Sequence, residues 1–166
     1  YSDLKATSDS VTLTVTNTGS CDGAEIVQIY VAKPDAKVFR PVQELKGFEK
    51  VKLAAGESKC VAIPLDDKAF RYWNTMTNAW EIEGGRYEIR VGASCEDIRL
   101  TATVEVAGTG APNPYAGISL PHYESGKVMN VPDAEWEVLL DRPIPDDTVK
   151  IDRNMTLGEL KHSRSP

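Results

Sequence analysis

Membrane-length apolar runs, clustered basic residues and paired cysteines are all missing from this 166-residue chain. Nothing approaches the roughly 18 consecutive apolar residues of a membrane-spanning helix, so no such span is expected. The 19 Lys and Arg are outnumbered by 25 Asp and Glu, giving a net charge of -6, and they are scattered. A phosphate backbone is therefore a poor partner, because binding one needs basic side chains gathered on one face. The three cysteines, Cys21, Cys60 and Cys95, are odd in number and far apart. That excludes a disulfide framework and the CxxC spacing of a zinc site, and it predicts free thiols in a reducing compartment. Only two histidines occur, His122 and His162, with no Ser or Cys at motif spacing for either to activate. The opening Tyr1-Ser2-Asp3-Leu4 has neither an initiator Met nor a charged-then-apolar leader, which reads as a piece of a longer polypeptide.

What is present, up to about Val106, is a series of short period-two patterns rich in β-branched residues. Val11, Leu13 and Val15 alternate with threonines. Val51 and Leu53 alternate with lysines, and Val61 and Ile63 repeat the pattern. Trp80 and Ile82 share a phase that predicts an inward-facing Trp80; Tyr87, Ile89 and Val91 follow, then Leu100, Ala102, Val104 and Val106. The run Glu25 to Val31 differs: Val27, Ile29 and Val31 lie on one face, but Ile26 and Tyr30 lie on the other. A strand apolar on both faces is central, and its second face is expected to meet something beyond the core. Seven or eight strands at this spacing predict an all-β fold, an immunoglobulin-like antiparallel β-sandwich, over residues 1–107.

Beyond Ala107 the composition changes, and seven of the ten prolines fall in this last third. Extended chain is expected over residues 108–166, interrupted by two helical segments. One lies near 133–140, with Pro132 at its start, acids in its first turn, and Trp136, Leu139 and Leu140 on one stripe. The other lies near 157–163, begun by the capping-box spacing of Thr156 and Glu159. If the Trp136 stripe packs back onto the sandwich, deleting residues 108–166 lowers the melting temperature.

Five blocks then carry a likeness. Val15-Thr16-Asn17-Thr18-Gly19, Glu25-Ile26-Val27-Gln28-Ile29-Tyr30-Val31, Arg40-Pro41-Val42-Gln43-Glu44-Leu45-Lys46-Gly47-Phe48, Ala55-Gly56-Glu57-Ser58 and Val91-Gly92-Ala93-Ser94 stand in one order and spacing. Together they resemble the fibronectin type III-like domain of glycoside hydrolase family 3, the β-glucosidase family. The tail is similar to the C-terminal extension of some bacterial members. The resemblance implies a parent enzyme with a (β/α)8 barrel carrying an aspartate nucleophile and an α/β sandwich carrying a glutamate acid/base. Such a pair hydrolyses β-glucosides with retention through a glycosyl-enzyme intermediate. Neither of those domains matches anything here, so no catalytic residue, cofactor site or metal site is expected in this chain. The partners implied are the catalytic domains of the same polypeptide, with a β-glucoside substrate bordering the contact, and neither nucleic acid nor membrane. With the free thiols, a bacterial cytoplasmic location is expected.

Candidate contact residues follow from apolar character in loops. The loop 33–40 contains Val38 and Phe39, too apolar for plain solvent, with Arg40 beside them for a carboxylate partner. Tyr72 and Trp73 flank a hairpin tip at 74–78 and are candidates for a domain interface or for stacking on a sugar. Two alternatives to the accessory-domain reading stay open: an independent carbohydrate-binding module using Trp73, and a free-standing adhesion sandwich.

Overall fold

A computed structural model describes residues 1–145, 153–154 and 156–160. Among the described residues nine strands occur: β1 (Ser2–Ala6), β2 (Ser10–Thr16), β3 (Gly23–Ala32), β4 (Glu44–Leu53), β5 (Ser58–Pro64), β6 (Arg71–Asn74), β7 (Ala79–Ile82), β8 (Gly85–Gly92) and β9 (Ile98–Val106). Seven of them build two antiparallel sheets, ordered β1-β2-β5 and β4-β3-β8-β9, while β6 and β7 form a separate hairpin. The immunoglobulin-like sandwich expected from the periodicity is the fold observed. The strand not anticipated is β1, a short segment whose side chains are exposed or half-buried; β6 is the first arm of the hairpin expected around 74–78.

The core lies between the sheets and uses the predicted phases. Val11, Leu13 and Val15 meet Val61 and Ile63 on one sheet, facing Val27, Ile29, Val31, Ile89, Val91 and Val104 on the other. Burying such a side chain contributes on the order of 1.5–3 kcal/mol. An exposed ion pair adds about 0–1 kcal/mol, so core residues outweigh the surface pairs in holding the sandwich together. Tyr87, fully buried, stacks edge-on against Phe70 at 5.1 Å and donates its hydroxyl to the carbonyl of Glu83 at 2.7 Å. A tyrosine near the start of this strand that bonds back to the preceding turn is characteristic of such sandwiches.

Strand β4 carries a bulge. Opposite it, Ile29 faces Gly47 and the next residue, Tyr30, faces Leu45, so Lys46 is the extra residue. Without the bulge, Leu45 would share the inward phase of Gly47. With it, Leu45 turns to the outer face of the sheet.

The sandwich unit extends past the compositional change at Ala107 to Gly117, and a second unit begins at Ile118. Residues 109–115 are tied in by Thr109 N–H donating to the Ile82 carbonyl at 3.0 Å and by Asn74 Nδ2 donating to the Pro112 carbonyl at 2.8 Å. In the second unit, helix α1 (Pro121–Glu124) is joined to helix α2 (Asp133–Leu140) through His122, whose Nδ1 lies 2.6 Å from Glu135 Oε1. Helix α2 ends at Asp141 in the left-handed conformation. Trp136 and Leu139 remain 48% and 40% exposed. A third helix, α3 (Leu157–Leu160), starts where the capping-box spacing places it. The rest of the expected 157–163 segment, His162 and Met155 lie outside the described residues.

Candidate functional site

The five candidate contact residues lie on the loop 33–40 and on β6, two segments that meet where Arg40 sits over Tyr72, yet they present themselves differently. Val38 is buried. Phe39 is partly exposed, with its ring 4.4 Å from that of Tyr115. Arg40 is turned inward, its side chain only 7% exposed. Its Nη2 donates to the Phe70 carbonyl at 2.8 Å, its Nη1 lies 3.9 Å from Glu44 Oε2, and its guanidinium sits 5.4 Å from the Tyr72 ring. Within the chain Arg40 meets Glu44, whose carboxylate lies nearer to Lys46 at 3.1 Å. Committing the cation locally avoids leaving a buried charge unpaired.

Tyr72 is half-buried beneath Arg40, and its hydroxyl accepts from Asn74 Nδ2 at 3.1 Å. Asn74 is fully buried, and its Oδ1 accepts from the Met76 N–H at 2.9 Å, which shapes the hairpin tip. Trp73 stands 47% exposed, directly opposite Trp80 in the β6–β7 register. The inward Trp80 read from its phase with Ile82 is corrected here: Trp80 is 55% exposed. The hairpin belongs to neither sandwich sheet, so period two along β7 does not separate core from solvent. The two indoles meet edge to face at 5.5 Å and 78°, and the Arg71 guanidinium lies 4.5 Å from the Trp80 ring centre.

Beside this cluster is a groove of about 370 Å³, lined by Lys33, Asp35, Tyr72, Glu83 and Asn113 among others. Sequence reasoning missed Lys33, whose side chain is 3% exposed. Its Nζ lies 3.4 Å from Asp35 Oδ1 and 4.8 Å from the centre of the Tyr87 ring. An isolated lysine after a strand gives no signal that it folds under a neighbouring loop. Among the described residues no group of three or more His, Cys, Asp or Glu side chains stands together as a metal site would require. All three cysteines are exposed and unpaired.

A family model described as a fibronectin type III-like domain matches residues 25–95. The sandwich has a fibronectin type III-like fold. Relatives of this domain belong to much longer glycosidases. The chain is 51% identical over 109 residues to an exo-α-(1→6)-L-arabinopyranosidase of Bifidobacterium longum, which covers 66% of this chain and 14% of that enzyme. It is 44% identical over 117 residues to thermostable β-glucosidase B of Acetivibrio thermocellus, covering 66% of this chain and 16% of that enzyme. Among solved structures, the GH3 β-glucosidase of Bifidobacterium adolescentis matches with TM-score 0.60 and 34% identity, covering 96% of this chain and 18% of that chain. The β-glucosidase of Kluyveromyces marxianus in complex with glucose matches with TM-score 0.58 and 44% identity, over 64% of this chain and 13% of that chain. The sandwich is thus similar to a small portion of these glycosidases, and the chain spans less than a fifth of each.

Proposed function

We propose that this chain is the non-catalytic accessory part of a larger retaining exo-glycosidase, a β-glucosidase or close relative, and that it stabilises the catalytic domains of the same polypeptide. The observation that carries this reading is the scale of the matches: identity of 34–51% that covers most of the sandwich and only 14–18% of the enzymes concerned. The sugar-cleaving carboxylates belong to the remainder, so the choice between glucoside and arabinopyranoside is made there. The exposed thiols fit a reducing, cytoplasmic setting. The aromatic end of the sandwich is the part of this site suited to bordering the catalytic cleft. The test is removal of residues 1–117 from the whole polypeptide. The shortened enzyme is expected to melt lower and lose most aryl glycosidase turnover; unchanged melting and turnover overturn the stabilising role.

A second reading, a carbohydrate-binding module, is favoured by the exposed Trp73 and Trp80. Against it stands their geometry, since edge-to-face rings with Arg71 over one of them offer no flat platform for a sugar. Insoluble-glucan pull-down with Trp73→Ala as control decides between the two. Retention that disappears in the variant supports the module.

A further inference from the structure

Most outer faces of the sandwich are polar. Strand β2 turns Thr12 and Thr14 outward, β8 turns Glu88 and Arg90, and β9 turns Arg99, Thr101, Thr103 and Glu105. Strands β3 and β4 break this rule. On their outer face Gln28 pairs with Phe48, Tyr30 with Leu45 and Ile26 with Lys50. Phe48 is 66% exposed, Leu45 50% and Ile26 45%. Leu45 joins them only because of the bulge at Lys46, and bulges re-aim side chains where a strand has work to do. The polar groups beneath are held in place: the Tyr30 hydroxyl donates to Gln28 Oε1 and Gln28 Nε2 donates to the Ala93 carbonyl, each at 2.5 Å. The patch is therefore a fixed surface with its own polar groups already satisfied.

We propose that this face of β3 and β4 is a docking surface covered by another part of the same polypeptide, one presenting an apolar centre and an acidic rim. The inference rests on the reading of the chain as part of a longer enzyme. Length supplies one argument, because the matched enzymes hold most of their residues outside the segment represented here. Charge supplies another. Lys50 and Lys52 project from β4 on this face, and neither forms an ion pair among the described residues, whereas Lys46 and Lys59 do. A second copy would bring the same lysines, and Glu88 on the far side of the face is already held by Arg90 at 2.7 Å. A foreign acidic rim is complementary to these lysines.

Hydroxyl-radical footprinting of the 166-residue chain and of the whole polypeptide tests this directly. Phe48, Leu45 and Ile26 are expected to label readily in the chain alone and several-fold less in the whole polypeptide; equal labelling overturns the proposal. Phe48→Ser provides an independent reading. It is expected to leave the melting temperature of the 166-residue chain unchanged and to lower that of the whole polypeptide, while equal effects on both overturn the docking role. If light scattering shows the chain dimerising in a way Phe48→Ser abolishes, the occupant is a second copy and the proposal is wrong. Protection of Phe48 in a polypeptide without glycosidase turnover would leave docking standing and remove the functional reading. Turnover with Phe48 fully labelled would do the reverse, and a polypeptide with no further domain would remove both.

Discussion

At the residue scale, the blocks that carry the family likeness turn out to be structural fastenings. Asn17 bridges the β2–β3 loop and the β4–β5 turn: its Nδ2 donates to the carbonyls of Cys21 and Leu53, its Oδ1 accepts from Gly19, and its carbonyl accepts from Gly56. Gly56 itself sits at φ +75°, which a side chain would strain. Asn17→Ala is expected to cost about 1–2 kcal/mol in a denaturation measurement, the loss of part-buried hydrogen bonds. Gly92 is stricter, because a Cβ there would lie 2.1 Å from the Asp97 carbonyl oxygen, a backbone atom that cannot swing aside. Gly92→Ala should destabilise by about 1–3 kcal/mol, and a smaller loss would mean the β8–β9 turn yields more readily than its geometry implies. Tyr87 gives a pH signature. Burial, partly offset by Arg40, pushes its hydroxyl from 10.0 up to about 12. The folded state then holds this proton more tightly than the unfolded chain. The associated stability is complete below about pH 10 and declines as pH rises towards 12. Urea unfolding across that range should show the decline, and Tyr87→Phe should flatten it while lowering stability at neutral pH.

At the scale of elements, the sequence was legible wherever a strand has one wet and one dry face. Val11, Leu13, Val15, Val61, Ile63, Tyr87, Ile89 and Val91 all occupy their expected inward positions. Legibility ended where another constraint overrode the alternation. The bulge at Lys46 reversed Leu45, and no property of a single residue announces a bulge. The β6–β7 hairpin stands outside both sheets, so the phase that placed Trp80 in the core had no core beside it. Among the candidate contact residues, those flanking the hairpin tip lie on β6, before its turn into β7, while the inward turn of Arg40 gave no signal, because its partners Phe70 and Tyr72 are distant in sequence. The revised position of Trp80 is testable. Trp80→Ala should cost about 0.5–1.5 kcal/mol, the worth of an exposed edge-to-face pair. Ile89→Ala should cost about 2–5 kcal/mol as a cavity in a close-packed core. Comparable losses would return Trp80 to the core.

At the scale of the whole molecule, every residue of the main hydrophobic cluster lies between Val11 and Val106, so the sandwich carries its own core. A fragment ending at Gly117 is expected to unfold in one cooperative transition. A fragment ending at Ala107 should melt several degrees lower, having lost Thr109 on Ile82, the Pro112 carbonyl on Asn74 and the Tyr115 ring on Phe39. Equal melting of the two would show those contacts to be idle. The same self-sufficiency frames the functional claim, in which the domain brings stability and surface while the bond-breaking carboxylates come from elsewhere. Aryl β-glucoside hydrolysis, measured side by side for the 166-residue chain and for the whole polypeptide that contains it, tests this most directly. The account predicts turnover by the whole polypeptide and none by the chain; turnover by the chain, or none by the polypeptide on aryl β-glucosides and arabinopyranosides alike, would contradict it.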